Sequence, residues 1–86
     1  QHGPEEEKAL LEVLHSGKWF LGDNVAEFER AFAEYHQAQY GVAVCNGTVA
    51  IQVALEAIGI APGDEIIVPS YTFIATASAV SSVGGI

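Results

Sequence analysis

Residues 40–69 read YGVAVCNGTVAIQVALEAIGIAPGDEIIVP, and the order of elements in this stretch decides the fold class. Residues 40–45, Tyr-Gly-Val-Ala-Val-Cys, have the length and apolar character of a short buried strand. Asn46-Gly47-Thr48 is a turn. Val49 to about Ile58 carries only two polar side chains, Gln52 and Glu56, spaced four apart, so it reads as a helix with one narrow wet stripe. A helix apolar over most of its circumference is expected to be covered on most sides. Ala61-Pro62-Gly63-Asp64 is a tight turn. The run Glu65-Ile66-Ile67-Val68-Pro69 is continuous rather than alternating, as suits a parallel strand covered on both faces.

Upstream lie two helices. Pro4 suits a first helical position, where its missing N–H would be unpaired anyway. Glu5, Glu6 and Glu7 follow, where negative charge complements the helix dipole. Leu10, Leu11, Val13 and Leu14 supply an apolar face, and Gly17 fits a left-handed stop, so the helix is predicted over about Pro4 to Ser16. Residues 17–22, Gly-Lys-Trp-Phe-Leu-Gly, set large apolar groups in a loop, which is expected to pack on something. The second helix is predicted from Asp23 or Asn24, with Asn24 and Glu27 as a variant capping box. Val25, Phe28, Phe32 and Tyr35 share one of its faces. Downstream, Phe73 to about Val83 reads as a helix of small residues, and Gly84-Gly85-Ile86 as a turn into another strand. Alternating strands and helices predict α/β architecture with a mainly parallel sheet, in one incomplete domain spanning residues 1–86.

Composition narrows the function classes. The chain has 86 residues, a net charge of −8 and only Lys8, Lys18 and Arg30 as cations. That balance argues against nucleic acid and against an anionic membrane surface. The first residues, Gln-His-Gly-Pro-Glu-Glu-Glu, do not read as a signal peptide, and no apolar run makes a convincing membrane span. One cysteine, Cys45, rules out an intrachain disulfide, and a reducing cytoplasm is the default compartment. His2, His15 and His36 are too dispersed for a zinc site. Cys45 has no histidine placed to activate it and reads as a small buried thiol.

Two segments could carry chemistry. Asn46-Gly47-Thr48 stands between a strand and a helix, and a helix N-terminus offers unpaired N–H groups and partial positive charge to a phosphate. Gly47 would permit close approach, and Thr48 adds a hydroxyl. The spacing is neither a Walker loop nor a dinucleotide fingerprint, and an ordinary capped turn accounts for the same residues. The second segment, Pro69-Ser70-Tyr71-Thr72-Phe73, follows a strand end, the edge at which open α/β sheets bind ligands. Taken by themselves, Tyr71 and Phe73 are better accounted for by ordinary core packing.

Taken together, Asn46-Gly47-Thr48-Val49-Ala50 and residues 61–73, APGDEIIVPSYTF, resemble the N-terminal part of the DegT/StrS family of pyridoxal-phosphate-dependent sugar aminotransferases. Residues 17–22 and the following helix fit the same pattern. The resemblance runs from about Pro4 onward and implies part of the large domain of the fold-type I, aspartate aminotransferase-like architecture. It implies that Gly47 and Thr48 bind the phosphate of pyridoxal phosphate, that Phe73 stacks on the pyridine ring, and that Lys18, Trp19 and Phe20, with Leu21, lie near the substrate entrance. It implies a homo-oligomer whose parent enzyme takes a nucleotide-linked keto-sugar and an amino-acid donor, glutamate being the expected one. In the family fold the two strands are separated by later ones. The family's Schiff-base lysine and the acid facing the pyridine nitrogen lie downstream of residue 86, so no catalytic residue is assigned and the chain alone is expected to be inactive. Lys8 and Lys18 read as surface lysines, not substitutes. A noncatalytic interaction module and a small phosphate- or nucleotide-binding module are the alternatives.

Overall fold

The computed structural model describes residues 2–20 and 22–86. Four helices form: α1 (Pro4–Ser16), α2 (Asp23–Tyr35), α3 (Gly47–Ala57) and α4 (Ala75–Ser82). The chain divides into two compact units, Gln1–Val42 and Ala43–Ile86.

In the first unit, α1 forms as its sequence predicts. Pro4 opens it, the Gly3 N–H donates to Glu6 Oε1 at 2.7 Å, and Gly17 closes it at φ 73°. That left-handed conformation is nearly free for glycine and costly for residues with a Cβ. The start of α2 differs from expectation. Gly22 is the cap residue and no side chain caps the helix, so Asn24 lies inside the first turn and the Asn24–Glu27 box does not form. Phe28, Phe32 and His36 stack along one face, with ring centroids 5.4 Å and 4.4 Å apart. Behind α2 the chain doubles back through Ala38, whose N–H donates to Ala33 C=O at 2.8 Å. Ala33 is the buried residue of this helix. Gly41 lies so close to α2 that a Cβ there would sit 2.6 Å from the Glu29 carbonyl oxygen. Gly41→Ala should therefore lift residues 38–41 off α2, at a cost of about 1–3 kcal/mol. Faster hydrogen exchange at the Ala38 amide is the expected reading.

In the second unit α3 packs on α4. The Gln52 amide donates to Ser82 Oγ at 2.7 Å, so Gln52 ties the two helices instead of lying on a wet stripe. Ala79 and Val80 of α4 are buried. Gly85 is wedged beside them: a Cβ would come within 2.7 Å of Ile66 Cδ1 and 2.9 Å of Val80 Cγ1.

The predicted strands are not formed among the described residues. Residues 40–44 and 65–69 carry neither helix nor ladder, and Cys45 lies in a bend. The reason is that a parallel strand exists only through its neighbours. One neighbouring segment is present over a short stretch, beginning where the Gly63 N–H donates to Gly84 C=O at 2.7 Å. The Ile86 N–H donates to Asp64 C=O at 2.8 Å, and Ile86 C=O accepts from the Ile66 N–H at 2.9 Å. These two bonds flank Glu65 in the alternation of a parallel pair, so the turn after α4 does lead toward a strand partner.

Burial differs from expectation too. Only Ala33, Ala79 and Val80 form a core among the described residues. No residue of α3 is buried, and Val42 and Ile67 lie open to solvent. Trp19, Phe20 and Cys45 are exposed. The accessible surface is 7332 Å². A compact protein of this mass would expose about 4,900 Å², and two separate compact halves about 5,900 Å².

Candidate functional site

The site is built on the first turn of α3. Asn46, extended at φ −165° and ψ 172°, is its cap. Its Oδ1 accepts from the Val49 N–H at 2.9 Å, and its carbonyl accepts from the Ala50 N–H at 3.1 Å. A helix leaves its first N–H groups without intrahelical partners. Here Val49 is satisfied by the cap, and the N–H groups of Gly47 and Thr48 meet no acceptor among the described residues.

Charge distinguishes this helix start from those before it. The first turn of α1 holds Glu5, Glu6 and Glu7, and that of α2 holds Asp23. The first turn of α3 contains no acid. Its partial positive charge is thus not offset by the chain's own carboxylates.

Gly47 is not demanded by the fold. A Cβ added to it would meet nothing within 4 Å, and its φ lies outside the left-handed region. The space in front of the helix end is open, and a side chain there would intrude on it. Two unpartnered donors, a neighbouring hydroxyl, a helix dipole and open space in front of them fit a phosphate.

Phe73 lies in the same unit, two residues before α4. Its carbonyl accepts from the Thr76 N–H at 3.1 Å, while the residue remains 78% exposed. Tyr71 is fully exposed. Both aromatics are free of the core packing considered above. The ring of Phe73 is available for stacking, although no contact joins it to the Asn46–Thr48 turn among the described residues.

The 18–20 loop belongs to the first unit. Lys18 Nζ pairs with Asp23 Oδ2 at 3.3 Å, both groups being exposed. The Trp19 indole N–H is shared between the carbonyls of Val13 and Leu14, at 3.1 and 3.2 Å. It satisfies acceptors that the end of α1 leaves open, yet Trp19 remains 71% exposed. Leu21 lies outside the described residues. Sequence reasoning missed this indole cap. Its signal was a tryptophan two residues beyond a glycine helix stop, within reach of the last turn. Among the described residues no group of His, Cys, Asp or Glu is arranged for a metal, and no helix is long and apolar enough to cross a membrane.

The model of the DegT/DnrJ/EryC1/StrS aminotransferase family matches residues 1–86. The dTDP-3-amino-3,4,6-trideoxy-alpha-D-glucose transaminase of Streptomyces venezuelae is 46% identical over 80 residues, covering 93% of this chain and 21% of the relative. The X-ray structure of an aminotransferase from Psychrobacter cryohalolentis superposes with a TM-score of 0.91 at 39% identity, over 99% of this chain and 22% of that one. NtdA from Bacillus subtilis, solved with bound cofactor PMP, superposes with a TM-score of 0.84 at 40% identity, over 92% and 18%. The chain thus spans about a fifth of the length of the proteins it matches.

Proposed function

The chain belongs to the DegT/DnrJ/EryC1/StrS aminotransferase family, and we propose that it is the N-terminal, phosphate-holding segment of a pyridoxal-phosphate-dependent aminotransferase acting on nucleotide-linked keto-sugars. The observation that carries the cofactor assignment is the first turn of α3, with two open N–H groups, no acid and space before Gly47.

In this reading Gly47 and Thr48 hold the cofactor phosphate, mainly through backbone donors, and Phe73 covers one face of the pyridine ring. The bound cofactor supplies an electron sink for moving an amino group between an amino acid and a carbonyl. Asn46 keeps the Val49 N–H occupied, so the phosphate meets a fixed pair of donors. Lys18, Trp19 and Phe20 line the substrate entrance, where two exposed aromatic faces and a cation suit a base and a phosphate. The nucleotide-sugar substrate is supported by the Streptomyces venezuelae relative, whose name specifies a dTDP-sugar. Glutamate is the expected donor. The segment forms part of one larger cofactor-binding domain of fold-type I architecture, and that domain contributes the lysine and the acid that the reaction requires.

Two backbone donors give only part of a phosphate site, so the chain by itself should bind pyridoxal phosphate with a Kd of about 1 mM. Gly47→Val should weaken that binding about tenfold, because the new side chain fills the open space. The far-UV spectrum should not change, because a Cβ at residue 47 meets nothing of the fold. Titration followed by cofactor absorbance, with circular dichroism as the folding control, checks this. Equal binding by both proteins would remove residue 47 from the site.

A further inference from the structure

The sequence contains two asparagines, and only Asn46 precedes a glycine; Asn24 precedes Val25. Asn46 is exposed, with its Oδ1 on the Val49 N–H and its Nδ2 3.5 Å from Cys45 Sγ. The Gly47 nitrogen has no side chain to shield it and no acceptor among the described residues. An asparagine whose following nitrogen is unshielded is the arrangement most open to intramolecular attack.

We propose that Asn46–Gly47 is a self-modification site that converts the cap of α3 from a carboxamide into a carboxylate. The Gly47 backbone nitrogen attacks Asn46 Cγ, the Cγ–Nδ2 bond breaks, and ammonia leaves carrying the proton that the Gly47 nitrogen gives up. Water then opens the five-membered imide at either carbonyl. The product is aspartate in the original backbone or isoaspartate in a backbone lengthened by one methylene. The sum is amide plus water giving acid plus ammonia, and no oxidant or reductant takes part.

The geometry also sets when this happens. The Val49 N–H holds the Asn46 side chain over the helix end through Oδ1, so its Cγ is not free to swing onto the Gly47 nitrogen. The closed cap therefore resists attack, and reaction proceeds from the opened end of α3. Exposed helix ends are the first parts of a fold to open.

The functional consequence rests on the phosphate seat proposed above. Aspartate caps a helix about as well as asparagine, so α3 survives the change. The new carboxylate, however, lies beside the Gly47 and Thr48 donors and opposes an incoming phosphate. A bound phosphate in turn holds the first turn closed. Modification and cofactor occupancy thus exclude one another.

The test is to incubate the chain at mildly alkaline pH and follow the amide-to-acid mass gain by peptide mapping. Parallel samples contain pyridoxal phosphate, or pyridoxal as the control lacking phosphate. Asn46 should gain acid much faster than Asn24. Gly47→Ala, whose Cβ clashes with nothing in the fold, should slow the gain several-fold. Pyridoxal phosphate, but not pyridoxal, should slow it too, and Asn46→Asp should bind pyridoxal phosphate about tenfold more weakly with its helical spectrum intact. A gain at Asn46 no faster than at Asn24, or no slower in Gly47→Ala, overturns the proposal. Fast gain at Asn46 that ignores pyridoxal phosphate, with Asn46→Asp binding as well as the parent, leaves the modification site standing and overturns the phosphate seat.

Discussion

At micromolar concentration and above, the 86-residue chain is expected to run as a dimer or larger species, with an apparent mass that rises with concentration. The surface comparison is the reason. The chain exposes 7332 Å², roughly 1,400 Å² more than two separate compact halves of its mass. A stable protein–protein interface buries about 800 Å² on each partner, so the uncovered excess is larger than each copy needs to contribute. Its chemistry also fits. Val53 and Ile58 around α3, Phe28, Phe32 and Tyr35 on α2, and Ile67, Tyr71 and Phe73 before α4 are all exposed. Burial of apolar surface at about 25 cal/mol per Å² favours covering these groups over leaving them wet. Residues 65–69, paired within the described residues only through the Ile66 N–H to Ile86, offer backbone groups that can template pairing with another chain. Light scattering after size exclusion, over a range of loading concentrations, measures this. Val53→Glu and Ile67→Lys should each shift the distribution toward monomer. A monomer that unfolds cooperatively at every concentration would show that the three buried residues suffice for a core.

The sequence and the structure agree where the physics is local. Pro4, the three glutamates after it and Gly17 act within one helical turn of their own positions, and α1 forms between them. Asn46 caps α3 as its residue type suggests, and the absence of acid in that first turn could be read directly. Agreement fails where a residue depends on distant parts of the chain. Ile66, Ile67 and Val68 have the composition of a covered parallel strand, but a ladder and full cover come from other segments; among the described residues Ile86 bonds to Ile66, and Gly85 lies against the Ile66 side chain. Gln52 looked like a solvated residue because its partner, Ser82, lies thirty positions away. The start of α2 went to Gly22 instead of an asparagine, because Asn24 falls inside the first turn rather than before it. The same division applies to the site. The donors of Gly47 and Thr48 follow from the turn itself, whereas the place of Phe73 relative to them depends on tertiary packing that its own sequence does not carry.

Mixed with pyridoxal phosphate, glutamate and a keto-sugar nucleotide, the chain should release 2-oxoglutarate no faster than the cofactor does without protein. An aminotransferase needs an amine whose proton is easily given up, and enzymes obtain it by burying a lysine or setting it beside another cation. The chain has two lysines. Lys18 is exposed and faces a carboxylate, Asp23, at 3.3 Å. Lys8 is exposed on α1, one position after Glu7 and four before Glu12. Gly47, Thr48 and Phe73 carry no amine of their own. Holding the phosphate therefore does not by itself supply a positioned amine, and positioning of that kind supplies about 7–11 kcal/mol of the barrier reduction in well-oriented systems. After borohydride treatment the chain should also carry no stoichiometric covalent pyridoxyl label, since no lysine is fixed at the ring. Adding a longer family member from which the matching segment has been deleted should restore turnover if the phosphate seat is sound. Gly47→Val in the added chain should abolish that restoration. Release of 2-oxoglutarate by the 86 residues alone, abolished by Lys18→Arg but not by Lys8→Arg, would instead make the 18–20 loop a catalytic element and overturn its assignment to the substrate entrance.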